Sequence, residues 1–245
     1  MWHKVKLAFI FLLVLATQLH AQDSLNKKKK WTDTKVFKVS AVPVALTTLG
    51  LITTSSSSPI DKFDVRESIN ERFPDFSSSF DDYLRYVPPA SVYLLDLAGV
   101  EPKNDLGDRT ILFLKSNILA LAITFPLKGL TKVRRPDGSS SASFPSLHTA
   151  QAFLGATFLH KELGHKSVWY SVAGYAMAAT TGFYRMLNNK HWVSDVLVGA
   201  AVGIFSANLA YATHQFKPIF KRKDLKLSVL PTYNRGPGLT ILFSR

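Results

Sequence analysis

Cysteine is absent from the chain, which excludes disulfides and thiolate metal sites without fixing a compartment. Charge is scarce as well. Only 19% of the residues are Asp, Glu, Lys or Arg, against 47% hydrophobic, and acidic residues are the rarer sign, 17 against 30 basic. No polar linker divides the 245 residues into separate cores, so a single domain is expected. The apolar residues are gathered into long blocks, and a membrane is the natural solvent for such blocks.

The resulting net charge of +13 suits nucleic acid, anionic headgroups or a phosphorylated substrate. Placement chooses among them. Much of the basic charge, in residues 27–30 and in Lys217, Lys221, Arg222, Lys223 and Lys226, adjoins apolar segments, and no nucleic-acid-binding pattern is present. Membrane, and not nucleic acid, is the expected partner. The N-terminus has a basic start, an apolar run over 7–16 and a small residue at Ala21, which reads as a signal peptide over 1–21, cleaved or kept as an anchor.

After the basic run comes an apolar stretch over 36–54, inside an N-terminal segment 22–85 that ends in polar, acidic sequence. Further apolar segments at 86–100, 110–127, 148–159, 168–187 and 192–212 form a core over 86–213, followed by a basic tail over 214–245. The fold expected is all-α, a membrane-embedded bundle of about six helices. Some segments are short for a span of about 20 residues and carry Asp96 and Lys115, which leaves a soluble bundle as the rival reading. Small residues in the last two segments permit close helix packing in lipid. Within the tail, 227–233 and 239–244 flank a Gly-Pro-Gly turn and read as a hairpin.

Three polar clusters stand at segment ends: Lys128 with Arg135-Pro136, then Pro145-Ser146-Leu147-His148, then Arg185 with His191 and Asp195. A phosphoryl group carries charged oxygens that must be held while one bond breaks and another forms. Lys128, Arg135 and Arg185 are suited to hold them, Arg especially through its planar fork. His191 and Asp195 are four apart, so on a helix the carboxylate orients one ring nitrogen and frees the other to attack. Ser146 and His148 open the helix that follows, where free backbone N–H groups face an anion. No metal or other cofactor is expected, because these cations supply the positive charge a Mg²⁺ ion would bring.

Read in order, K-x6-R-P, P-S-L-H and R-x5-H-x3-D resemble the three-part signature of the type 2 phosphatidic acid phosphatase superfamily, which includes bacterial acid phosphatases and vanadium haloperoxidases. The resemblance covers about 86–213. It implies a phosphohistidine formed on His191, with Asp195 fixing its tautomer and His148 protonating the leaving alkoxide. It also implies phosphate binding by Lys128, Arg135, Arg185, Ser146 and the backbone at Leu147. Two positions depart from the pattern: Leu147 stands where Gly is usual, which questions the loop geometry, and Tyr184 where Ser or Gly is common.

The loops around 135–145 and 185–191 are separated by two segments and open on one side, while the 160–166 loop and the tail share the other. The positive-inside rule makes the basic side cytoplasmic and the site periplasmic, at a bacterial inner membrane. A cleaved signal would start 27–30 outside, so 36–54 is expected not to be a simple span. Depth at the membrane surface favours a lipid phosphate as substrate: a lipid A phosphate or undecaprenyl diphosphate first, phosphatidic acid or phosphatidylglycerol phosphate next. A soluble periplasmic acid phosphatase, a vanadate-dependent haloperoxidase and an inactive lipid-binding relative are the other classes the residues allow.

Overall fold

The computed structural model describes residues 31–55 and 58–214, and the backbone of 226–233 and 237–244. The proposed signal peptide and the basic runs at 27–30 and 217–223 lie outside the described residues. Among the described residues, eight α-helices are formed: α1 (Lys35–Ile52), α2 (Lys62–Arg72), α3 (Phe80–Leu84), α4 (Val87–Leu97), α5 (Leu106–Thr131), α6 (Leu147–Leu163), α7 (Val168–Leu187) and α8 (Val193–Ala212). The tail adds an antiparallel hairpin of β1 (Lys226–Tyr233) and β2 (Pro237–Ser244), as its sequence suggests.

The helices start where polar side chains satisfy the first free N–H groups. Thr34 accepts from Phe37 N at 3.2 Å to open α1, and Asp105 accepts from Asp108 N at 2.8 Å to open α5. The six long helices alternate in direction, and this puts the ends of α1, α5 and α7 beside the starts of α4, α6 and α8. That end is the site end. Ser146 N, at the start of α6, bonds Asp195 O in the first turn of α8 at 3.0 Å. At the far end Lys103 N bonds Glu162 O at 2.9 Å.

α8 is the central helix. Of the three helices among the described residues that are long and apolar enough to cross a membrane, α8 has 78% of its most apolar 18 residues buried, against 22% for α1 and 33% for α5. Glycines allow its neighbours in: a Cβ on Gly203 would stand 2.2 Å from Ala150 O, and one on Gly199 would stand 2.6 Å from Ser146 O. These two positions fix α6 against α8 with the backbones nearly touching. The bundle's outside is apolar, with Leu49, Leu94, Leu114, Ile118, Phe125 and Trp169 all exposed. A water-soluble bundle would turn polar residues outward, so lipid is the solvent of this face and the chain is a membrane protein.

Two features differ from expectation. The 36–54 segment, expected not to be a simple span, is one continuous helix of 18 residues with the length and apolarity to cross. Gly50, near the end of α1, packs on Val198 and Ser194 near the start of α8, so the two run antiparallel. The polar stretch after it folds as well. α2 and α3 lie across the site end as a roof, α2 capped by Asp61, which accepts from Phe63 N at 2.7 Å. α2 has no apolar stripe and α3 is only five residues long, so the stretch gave no periodic signal in the sequence.

Candidate active site

The fold draws the three sequence clusters to one place. Lys128 comes from the last turns of α5, Arg135 from the loop that follows, Ser146, Leu147 and His148 from the start of α6, Arg185 from the end of α7, and His191 and Asp195 from the turn into α8. His191 lies within electrostatic reach of Asp195, Lys128 and Arg185, and Lys128 within reach of Arg135.

Asp195 sits at the third position of α8, where a carboxylate can reach back to the free N–H before the helix. Its Oδ2 accepts from Trp192 N at 3.0 Å and from the His191 Nδ1–H at a long 3.4 Å. The Ser143 hydroxyl donates a short hydrogen bond to the same oxygen. Helix capping thus fixes a carboxylate that in turn orients the imidazole. His191 and Asp195 are 4% and 0% exposed, so water does not screen them. Burial, chiefly, pushes the His191 imidazole below its ordinary 6.5, helped by Lys128 and Arg185 and opposed by Asp195. Burial thus favours the neutral ring, and a proton on Nδ1 facing Asp195 leaves the Nε2 lone pair free.

The cations are held by the chain around them. Lys128 Nζ donates to Ala142 O at 2.6 Å and Ser143 O at 3.3 Å, tying the loop of Arg135 back to α5. Arg135 Nε and Arg185 Nε are both buried without a hydrogen-bond partner. Two unpartnered guanidinium N–H groups beside a buried imidazole are costly unless an anion completes them.

Ser146 is the N-cap of α6: its Oγ accepts from Thr149 Oγ1 at 3.0 Å and from Thr149 N at 3.4 Å. Leu147 is the first residue of that helix and does not take a positive φ, so this turn does not need the flexibility of glycine. The backbone angles at this departure are ones that leucine takes freely. Tyr184, the other departure, packs its ring against Phe76 at 5.5 Å and Phe80 at 5.6 Å, both in the roof segment.

Sequence reasoning missed the residues that meet the clusters from elsewhere. Ser143 has just been placed on Asp195. Asp81, fully buried on α3, accepts from Arg185 Nη1 at 2.9 Å and from Asn188 Nδ2 at 3.2 Å. Its neighbour Asp82 accepts from His148 Nε2 at 2.7 Å and stands 3.9 Å from Arg185 Nη1. Burial, then Arg185 and Arg85, push the His148 imidazole down to about 4, while Asp82 pulls it upward. The only signal for these carboxylates in the sequence is the acidic character of the 60–85 stretch, which names no partner.

Asp81, Asp82 and His148 have the spacing of a cation site, their ligand atoms lying within 4.8 Å of one another. The Arg185 guanidinium already stands between the two carboxylates and answers their charge, so the donor set does not fit a resident metal.

Residues 109–219 match the model of the PAP2 superfamily. A 77-residue stretch is 58% identical to the lipid A 1-phosphatase of Porphyromonas gingivalis, covering 31% of this chain and 17% of that protein. The chain therefore spans about a sixth of the length of this relative. Among solved structures, Aquifex aeolicus LpxE is 22% identical with a TM-score of 0.47, over 61% of this chain and 94% of its own. A transmembrane PAP2 type phosphatidylglycerolphosphate phosphatase from Bacillus subtilis is 21% identical with a TM-score of 0.36, over 88% and 100%.

Proposed function

We propose that this chain, of which residues 109–219 match the model of the PAP2 superfamily, is a metal-independent membrane phosphatase that removes phosphate from a lipid through a phosphohistidine on His191. One observation carries this reading: the unpartnered Nε atoms of Arg135 and Arg185 lie buried in the same site as a buried, neutral His191 oriented by Asp195. A phosphate would satisfy both guanidinium groups, with Lys128 and the N–H groups at the start of α6 completing its surroundings.

His191 Nε2 attacks phosphorus, and the bond from phosphorus to the lipid oxygen breaks with its electron pair leaving on that oxygen. The leaving oxygen takes a proton from His148. Water then attacks the phosphohistidine, gives a proton to His148, and the phosphorus–nitrogen bond breaks to release phosphate. Asp195 stabilises the positive imidazole ring throughout.

The substrate we favour is a lipid A phosphate. The 58% stretch shared with a lipid A 1-phosphatase supports it over undecaprenyl diphosphate, phosphatidic acid and phosphatidylglycerol phosphate. The apolar outside of the bundle supports a lipid over a soluble phosphomonoester.

We place the site on the periplasmic face of a bacterial inner membrane. The far end of the bundle carries Lys35, Lys38, Lys103, Lys161 and Lys166, and in sequence the basic runs at 27–30 and 217–223 come just before α1 and just after α8. By lysine and arginine bias that end is cytoplasmic. If α1 crosses, 27–30 share the cytoplasmic face, and a signal cleaved after Ala21 would put them outside. Cleavage and a periplasmic site then exclude each other, and the N-terminal sequence of the purified protein decides between them.

The test of the mechanism is phosphate release by the detergent-purified protein from lipid A, undecaprenyl diphosphate, phosphatidic acid and a soluble phosphomonoester, all in EDTA. Release should be fastest from lipid A and fall on the order of 10⁴-fold in His191→Ala. Full activity in His191→Ala, or loss in EDTA restored by Mg²⁺, would overturn it.

A further inference from the structure

The two histidines of the site are built alike, but their carboxylates come from different parts of the chain. His191 has Asp195, four residues away on the same helix. His148 has Asp82, 66 residues away on α3, in the roof segment and outside the stretch that matches the family. The His148–Asp82 contact, at 2.7 Å, is the tighter of the two.

We propose that Asp82 is a positioning residue for the acid step, holding the Nε2 proton of His148 so that Nδ1 delivers its proton to the leaving lipid oxygen. This rests on the phosphohistidine reading given above. The charged groups facing His148 are Arg185 from α7, Arg85 from the turn after α3, Asp82 from α3, and Asp81 behind Arg185. Both guanidinium groups and burial work against a charged imidazole. Asp82, hydrogen-bonded to Nε2, is the carboxylate that works for it, and its loss would make the proton-donating form of His148 rarer still.

The roof is fastened so that α3 can hold this position. Asn188, in the turn after α7, donates to Ser78 O at 2.8 Å and accepts from Ser78 N at 2.9 Å. Tyr184 is packed between Phe76 and Phe80. Asp81 is locked on Arg185, and this leaves the next residue, Asp82, facing His148. In the acid step the Nδ1 proton passes to oxygen as the phosphorus–oxygen bond breaks. In the return step Nδ1 takes a proton from the attacking water, and Asp82 keeps the Nε2 proton in both.

A leaving-group comparison separates this role from packing. The detergent-purified full chain is assayed on a lipid alkyl phosphate, whose oxygen must be protonated to leave, and on p-nitrophenyl phosphate, whose phenolate leaves without a proton. Asp82→Asn should lower kcat/KM on the lipid phosphate on the order of 10²-fold and leave kcat/KM for p-nitrophenyl phosphate, which reports only the transfer to His191, within about threefold. Asp82→Glu should recover part of the lost rate, and the surviving aryl turnover shows that the variants are folded. Equal losses on both esters would make Asp82 a packing residue, and faster turnover of both would make it a plug in the phosphate's place. Either result overturns the proposal while His191 dependence stands. Release that persists in His191→Ala would instead sink the mechanism beneath it.

Discussion

The floor of the site and its roof were made in opposite ways. In the floor, function is written in short-range spacing: His191 and Asp195 are one helical turn apart, and Ser146 and His148 share a helix start. In the roof, function is carried by contacts across 66 to 110 residues, made by α3 and by Ser78 just before it. The lesson is that a family signature marks the groups that meet phosphate, while the groups that hold them can lie wholly outside it.

Four changes test how deep this division goes. The largest effect is expected at Arg185, the one side chain that belongs to both halves. Arg185→Lys keeps the charge but loses the fork shared between Asp81 and the phosphate, and should cost about 10²- to 10³-fold in kcat. Retention of more than a tenth of the rate would show that Arg185 serves only as a point charge.

Tyr184→Ser comes next, because it installs a residue common in the family and removes the ring contacts to Phe76 and Phe80. At about 0.5–1.5 kcal/mol for each lost aromatic pair, thermal unfolding should shift down by several degrees. Turnover should fall roughly threefold to tenfold as the roof loosens. A loss as large as that of Arg185→Lys would erase the distinction between floor and roof.

The third change is one of pH. Burial holds the His191 imidazole below 6.5, so the neutral, attacking form persists as pH falls through that value. An ordinary imidazole with a pKa of about 6.5 would be half protonated there. With p-nitrophenyl phosphate, which does not call on the acid, kcat/KM should stay nearly flat from pH 7.5 to 6.5. A twofold drop over that interval would mean that burial does not protect the nucleophile.

The smallest effect is expected from Leu147→Gly. Leu147 already has ordinary helical backbone, so restoring the family's glycine should leave activity within about threefold and cost about 1 kcal/mol of stability. A tenfold gain in activity would show that the leucine side chain, and not the backbone, narrows the pocket.

Much of the bundle was legible because each long helix announced itself as an apolar block: the 168–187 segment coincides with α7, and 192–212 differs from α8 by one residue. The helix from Lys35 was legible as a helix, but its having the length and apolarity to cross was set aside, because the reading of its direction leaned on a cleaved signal. Five of the site residues, Lys128, Arg135, Arg185, His191 and Asp195, were legible because cations and a His–Asp pair at helix ends have few other uses together. Ser143 was hidden among its neighbours Ser139, Ser140 and Ser141, which carry no spacing to tell them apart. Asp81 and Asp82 were hidden by distance along the chain, since no local pattern ties a carboxylate to an arginine made 104 residues later.

That separation also sets an order of events during synthesis. Asp81 leaves the ribosome 104 residues before Arg185, an interval of roughly 5–20 seconds at ordinary elongation rates. Throughout it Asp81 lacks the arginine that anchors it. His191 follows Arg185 by a single turn of chain, so the nucleophile and the anchor of the roof are delivered together. On the proposed mechanism the growing chain therefore holds no competent site until α7 and the start of α8 have been made, which would keep nascent protein from acting on the membrane that receives it.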